Sequence, residues 1–235
     1  MDVGQDTIAA RVHLVLEEIR QAALRAGRLP ETVRLVAASK TVPVERLREA
    51  VDAGIRHLGE NRLQEALTKI EMLDRAGVAW HFIGTLQRRK VKSVVGRFEM
   101  IHSVDSLELA EEIDRQAKVA GIRQRVLLEV NLGGELSKGG FAPSTLNGVL
   151  PALNDLEGLD VRGLMAIPPP TATAEAARPY FRQLRELAQA LTGQGCRNIN
   201  MQELSMGMSH DYPVAIQEGA TYVRVGTALF GARGE

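Results

Sequence analysis

Eight short, largely aliphatic segments recur along the chain, and most of the stretches between them carry apolar residues at helical spacing. They run Val33–Lys40, Ile55–Asn61, Trp80–Gly84, Met100–Val104, Val126–Leu132, Val161–Ile167, Ile199–Met206 and Tyr222–Thr227. Strands covered on both faces lose the simple apolar/polar alternation and read as continuous aliphatic runs, which is the signature of a parallel sheet. Eight strand and helix units are the number that closes a (β/α) barrel. The first unit shows the pattern well. After Lys40, Pro43 at a helix start introduces Val44, Leu47, Ala50 and Val51, and Gly54 supplies the stop. Ahead of it all, Ile8, Val12, Val15, Leu16, Ile19 and Ala23 mark an additional amphipathic helix ending before Gly27. The expected fold is an α/β, single (β/α)8 TIM-type barrel with an extra N-terminal helix, one domain over residues 1–235. An open doubly wound sheet is the alternative. Pro168-Pro169-Pro170 and the following Thr171–Ala177 read as a surface loop inside that domain.

Composition removes several classes of function. Lys+Arg and Asp+Glu balance at 29 each, so no global field draws the chain to nucleic acid or an anionic membrane. The densest basic run, Arg88-Arg89-Lys90-Val91-Lys92, lacks interleaved aromatics and reads as a solvated helix face. Cys196 is the only cysteine, which excludes an internal disulfide and a thiolate metal cluster and makes a reducing compartment the default. His57, His81 and His102 show no metal-ligand spacing and are expected to be ordinary hydrogen-bonded side chains, with no metal site. The first residues lack a basic region ahead of an apolar stretch, and no run approaches membrane-spanning length. A soluble, cytoplasmic protein is expected.

Barrel active sites gather at the carboxyl ends of the strands, with phosphate often held after the seventh and eighth. Lys40 closes the first strand, sharing a face with Val36 and Ala38, so its amine stands at the rim of the barrel. Partial desolvation would free the nitrogen lone pair to attack an aldehyde, although a strand-end lysine snorkelling to solvent fits its position too. The seventh and eighth strands each run into a turn of small residues. Their glycines, the hydroxyls of Ser209 and Thr227 and the following helix starts describe a phosphate cup, each element of which also serves as an ordinary turn or cap. Alternation with Val223 and Val225 turns Tyr222, Arg224 and Gly226 to the interior. There Arg224 either pairs with an internal carboxylate such as Glu129 or Glu203, or donates to a pyridine nitrogen, which it would keep unprotonated. An aldehyde-reactive lysine, a phosphate cup and a ring-nitrogen donor together match pyridoxal 5′-phosphate (PLP).

The stretches Ala38-Ser39-Lys40-Thr41, Gly59-Glu60-Asn61, His81-Phe82-Ile83-Gly84 with Leu86-Gln87, Arg162–Ile167, Leu204–Ser209 and Arg224–Gly231 resemble the pyridoxal-phosphate homeostasis proteins of the YggS/PROSC type. That family's fold is like the barrel domain of alanine racemase. The resemblance implies that Lys40 forms the internal aldimine, that Arg224 meets the pyridine nitrogen, that Ser209, Gly226 and Thr227 hold the phosphate, and that Asn61 flanks the cofactor. Asn61 reads equally as a turn residue after its strand. Met206 and Met208 would pack against the ring or in the barrel core. The chain departs from the commoner family wording at Thr85 and at Gly139, neither expected to touch the aldimine. Lys138 offers a second amine that could pass the cofactor on, or a solvated loop residue. Tyr212 stands where it could serve as an acid or base near the mouth.

The function implied is sequestering PLP and delivering it to PLP-dependent apoenzymes, without strong catalysis and with no catalytic residue assigned, in a monomer or weak homodimer. Only four residues follow Gly231, which leaves no room for the added domain that supplies a racemase's second acid/base. An arginine at the ring nitrogen also disfavours carbanion chemistry. The alternatives are a PLP-dependent, racemase-like amino-acid enzyme with Lys40 and Tyr212 or a water as its bases, and a Schiff-base lyase of the aldolase type with a sugar phosphate in the cup.

Overall fold

A computed structural model of the chain describes residues 7–73, 77–135, 139–193 and 196–231. Eight parallel strands close on themselves in sequence order: β1 (Arg34–Ala38), β2 (His57–Glu60), β3 (Ala79–Phe82), β4 (Met100–Val104), β5 (Gln124–Glu129), β6 (Leu159–Met165), β7 (Ile199–Ser205) and β8 (Tyr222–Val225). The ring is completed by β8 against β1, with Arg34 opposite Tyr222 and Val36 opposite Arg224. This is the expected barrel, not the open sheet. Its helices are α1 (Ile8–Arg25), α2 (Val44–Asp52), α3 (Leu63–Leu73), α4 (Leu107–Val119), α5 (Leu146–Asn154), α6 (Arg178–Leu191), α7 (Tyr212–Gln217) and α8 (Thr227–Phe230). Between β3 and β4 the connection is a 3-10 helix, Arg88–Ser93, which buries Val91 and leaves Arg88, Arg89 and Lys92 exposed. None of the helices described is long and apolar enough to cross a membrane.

Apolar side chains form two layers. The larger lies between the strands and the surrounding helices and takes in Val223 and Val225 of β8. A smaller cluster of Val36, Met100, Leu127, Met165 and Tyr222 fills the inside of the ring. Strand alternation therefore turns Tyr222 and Arg224 inward, as the sequence indicates.

The additional helix α1 starts at Thr7, whose Oγ1 accepts from the Ala10 amide at 3.2 Å. It buries Ile8, Val12, Val15, Ile19, Ala22 and Ala23, while Leu16 stands outside the stripe and is exposed. The buried face packs against α7, α8 and α2. Arg28, just beyond it, donates to the carbonyls of Ile216 and Ala220, both at 2.8 Å. The extra helix thus covers the seam where the last unit meets the first.

The strands stop short of the residues that interrupt the regular ladder. β1 ends at Ala38, two positions before Lys40, β2 ends at Glu60, and β8 ends at Val225, with Thr227 already opening α8. Lys40, Asn61 and Thr227 consequently lie in turns or helix starts at the carboxyl rim, where their side chains escape the strict alternation of the strand.

Candidate functional site

The turn that carries Lys40 is strained and held from outside. Thr41 has φ 64°, a left-handed conformation costing a non-glycine residue roughly 1–2 kcal/mol. Its amide donates to Glu65 Oε1. Lys69 of α3, in a position otherwise occupied by the apolar stripe Leu63, Ala66 and Leu73, reaches under the turn. Its ammonium donates to Ser39 O at 2.6 Å, Glu60 Oε1 at 2.7 Å and Glu65 Oε1 at 2.5 Å, which uses all its protons. Ser39 Oγ adds a bond to Glu60 Oε1 at 2.7 Å. The ends of β1 and β2 are thereby tied to α3. Glu60 is fully buried, and burial pushes its carboxyl above the usual range against the pull of Lys69 and Ser39.

Beside this turn a cavity of about 430 Å³ is lined by Ala38, Lys40, Asn61, Glu129, Met165, Met208 and Arg224, among others. Asn61 is fixed by a close approach: a Cβ on Gly84 would lie 2.5 Å from Asn61 O, so only glycine fits there. The Asn61 Oδ1 is shielded from solvent and has no hydrogen-bond partner among the described residues. An acceptor left in that state is a place for a ligand's donor.

Arg224 is buried. It donates to Ser205 Oγ, and through its other terminal nitrogen to Ala166 O at 3.0 Å. Burial draws its pKa down to about 10, against the opposing fields of Glu129 and Asp211, so it remains a cation at neutral pH. The internal ion pair considered from sequence is not formed. Glu203 pairs instead with Arg34 at 3.1 Å, and Glu129 lines the cavity, its carboxyl pushed up by burial and Asp105 and pulled down by Arg224.

The turn after β7 depends on Gly207, at φ 91°, where a Cβ would lie 2.6 Å from that of Ala215. It brings Ser209 to the start of α8, where its Oγ accepts from the amides of Gly226 at 3.2 Å and Ala228 at 3.3 Å. Gly226 abuts Ala38, since a Cβ there would lie 3.4 Å from the Ala38 Cβ. Thr227 is exposed. Lys40, Asn61 and Arg224 therefore share one cavity. Ser209, Gly226 and Thr227 form a neighbouring cluster, with Ser209 lining a second cavity of about 250 Å³.

Tyr212 departs from its sequence reading. Its hydroxyl donates to Glu18 of α1, and burial together with that carboxylate raises its pKa. It lines the cavity of Ser209, away from Lys40. Thr85, one of the two departures from the family wording, is among the residues lining the Lys40 cavity. Met206 is in the core, and Met208 is part of the cavity wall. Lys138 lies outside the described residues. The Glu60, Glu65 and Lys69 network escaped the sequence reading, and its one signal is a lysine on the buried stripe of a helix.

Residues 16–234 match the alanine racemase N-terminal domain family. The pyridoxal phosphate homeostasis protein of Aquifex aeolicus is 49% identical over 223 residues, covering 95% of this chain and 97% of its own. That of Escherichia coli is 41% identical over 229 residues, covering 96% and 97%. Among solved structures, PipY of Synechococcus elongatus with PLP bound superposes with a TM-score of 0.82 at 43% identity, covering 96% of this chain and all of that one. The alanine racemase of Clostridium difficile shares the fold, with a TM-score of 0.69 at 19% identity over 96% of this chain and 57% of its own.

Proposed function

Because the chain belongs to the pyridoxal phosphate homeostasis proteins, on the alanine racemase N-terminal fold, we propose that it binds PLP at the Lys40 cavity and serves as a carrier of the cofactor. The observation that carries this reading is the meeting of Lys40, Arg224 and the partnerless Asn61 oxygen in one cavity of about 430 Å³, a size usual for small cofactors. The donor set suits the group: an amine, a buried cation with N–H groups beyond those given to Ser205 and Ala166, and an acceptor lacking a donor.

When bound, PLP supplies an aldehyde that condenses with a primary amine. Lys40 is the amine placed to hold it covalently. Arg224 would meet the ring nitrogen, and because it stays protonated it would donate there and keep that nitrogen free of a proton. Asn61 flanks the ring. Ser209, with Gly226 and Thr227, is assigned to the phosphate, whose oxygens would accept from the serine hydroxyl and the amides that Ser209 now occupies. The network of Lys69, Glu60 and Glu65 keeps the Lys40 turn in place.

We infer that the protein does not itself run strong amino-acid chemistry. A racemase-like reaction needs a second acid/base facing the cofactor, and the Tyr212 hydroxyl is committed to Glu18. The relatives are named for homeostasis, which suits a protein that shields a reactive aldehyde and releases it to PLP-dependent apoenzymes. A cytoplasmic location and a monomer or weak homodimer complete the proposal.

The test is to add PLP to the purified protein, record absorbance, reduce with borohydride and map the modified peptide by mass. A visible band that reduces to a pyridoxyl group on Lys40 is expected. Absence of a band, or modification confined to other lysines, refutes the assignment.

A further inference from the structure

Interior positions of such barrels are usually filled by branched aliphatic side chains. Here three strands in a row place a histidine inside: His57 on β2, His81 on β3 and His102 on β4. They are joined end to end. His57 Nδ1 lies 3.0 Å from His81 Nε2, and His81 Nδ1 lies 3.0 Å from His102 Nε2. His102 Nδ1 lies 2.9 Å from Ser205 Oγ, the same oxygen that accepts from Arg224. A continuous line of hydrogen bonds therefore crosses the barrel from the start of β2 to the arginine of the cofactor cavity.

Counting protons fixes its direction. A guanidinium only donates, so Ser205 Oγ accepts from Arg224. If the serine hydroxyl then donates to His102 Nδ1, His102 carries its proton on Nε2 and donates to His81, which donates in turn from Nε2 to His57. Every proton between Arg224 and His57 Nδ1 then has an acceptor. In the opposite sense Ser205 would accept twice and its own hydrogen would be stranded in a fully buried site, since Arg224 and His102 are its partners. A cation within the line is disfavoured as well, because burial and the neighbouring positive charges pull His81 down to about 3 and His102 well below its ordinary value.

We propose that His57, His81 and His102 form a neutral, one-way hydrogen-bonded chain that positions Arg224 as the donor to the ring nitrogen of bound PLP. The proposal rests on the cofactor assignment above. Aligned in this sense, each imidazole turns its acceptor end toward Arg224, so the chain's dipoles support a buried cation that has no hydrogen-bonded carboxylate among the described residues. The serine hydroxyl is held with its lone pairs on the guanidinium, which leaves the remaining N–H groups of Arg224 to point elsewhere. These histidines are positioning residues and touch no reacting atom.

The test begins with histidine-labelled wild-type protein without PLP. Long-range proton–nitrogen NMR at neutral pH should show all three interior rings neutral and protonated at Nε2, with exposed His13 and His210 as references for solvated rings. A ring of the three protonated at Nδ1, or present as imidazolium, overturns the chain. The second measurement is PLP titration of H102L and H102Q by absorbance. H102L, which breaks the line at Ser205, should shift the PLP band and weaken binding about tenfold, the scale of one hydrogen bond at a charged group. H102Q, able to accept from Ser205 and donate to His81, should restore both. A wild-type band and affinity in H102L, or no recovery in H102Q, overturns the positioning role. If H102L does not fold, the tautomers of the wild type still decide the chain. Failure of wild-type protein to take up PLP would instead strike the cofactor assignment, leaving the tautomer result unaffected.

Discussion

Replacing Lys69 by methionine keeps most of the side chain's length and removes its charge, leaving Glu60 fully buried beside Ser39 alone. An uncompensated buried carboxylate escapes by taking up a proton. That route sets a ceiling on the electrostatic cost: about 1.36 kcal/mol per pH unit between the ordinary carboxyl value of 4.5 and pH 7, or about 3.4 kcal/mol. The wild-type carboxyl is already raised by burial, so part of that ceiling is spent before the mutation. Loss of the bond to Ser39 O adds about 1 kcal/mol that does not depend on pH. The expected deficit is therefore about 2–4 kcal/mol at pH 7. The sign with pH follows from the direction of the shift. Without Lys69 the folded-state pKa of Glu60 rises further, and stability held by a raised carboxyl is complete at low pH and lost as pH climbs. The deficit of K69M should thus shrink to about 1–2 kcal/mol at pH 5. Urea unfolding followed by far-ultraviolet circular dichroism at both pH values measures it, and the double variant E60Q/K69M should recover most of the loss at pH 7. A deficit below about 1 kcal/mol at pH 7, or one that does not change between pH 7 and pH 5, would refute the account.

Lys40→Ala should lose the borohydride-trapped adduct while keeping weaker PLP binding that inorganic phosphate competes away; an unchanged adduct yield would assign the amine elsewhere. His81, buried and held neutral down to about pH 3, should make the fold lose about 1.4 kcal/mol per pH unit as pH falls from 6.5 toward that value, because only the unfolded chain takes up the proton. Urea unfolding of the wild type and His81→Leu should show that extra slope in the wild type alone, and parallel slopes would argue against it. Gly207→Ala forces a side chain into a left-handed position and against Ala215. It should cost more than about 1 kcal/mol in the same unfolding assay and weaken phosphate competition for PLP; a neutral effect on both would show that the turn does not build the cup.

Much of the fold was legible because a parallel strand buried on both faces leaves a plain aliphatic trace, as Val126, Leu127 and Leu128 of β5 do. Strand ends were less so. Ala38, Glu60 and Val225 close their strands before Lys40, Asn61 and Thr227, since period-2 alternation says nothing about where the backbone leaves the ladder. Of the residues considered for the site, Lys40, Asn61 and Arg224 do share a cavity. The role of Tyr212 stays open in the sequence because its spacing from Ser209 fixes its place in the chain but not the helix face it takes, which α1 decides from nearly two hundred residues away. The histidine line was invisible for a similar reason. His57, His81 and His102 are separated by 24 and 21 residues, and only the register of neighbouring strands sets them in contact. Lys69 left a trace, a charge on an apolar stripe, that spacing alone reads as an error in the pattern.

The seam covered by α1 has a consequence for how the chain comes to be folded. The partners of its buried face lie partly in α7 and α8, at the far end of the sequence, and Arg28 waits for carbonyls 188 and 192 residues further on. During synthesis from the amino terminus, Ile8, Val12, Val15 and Ile19 emerge with much of their docking surface still unmade. Translated well before those partners, α1 is thus late to dock, and its apolar face must be kept from other chains until α7 and α8 arrive.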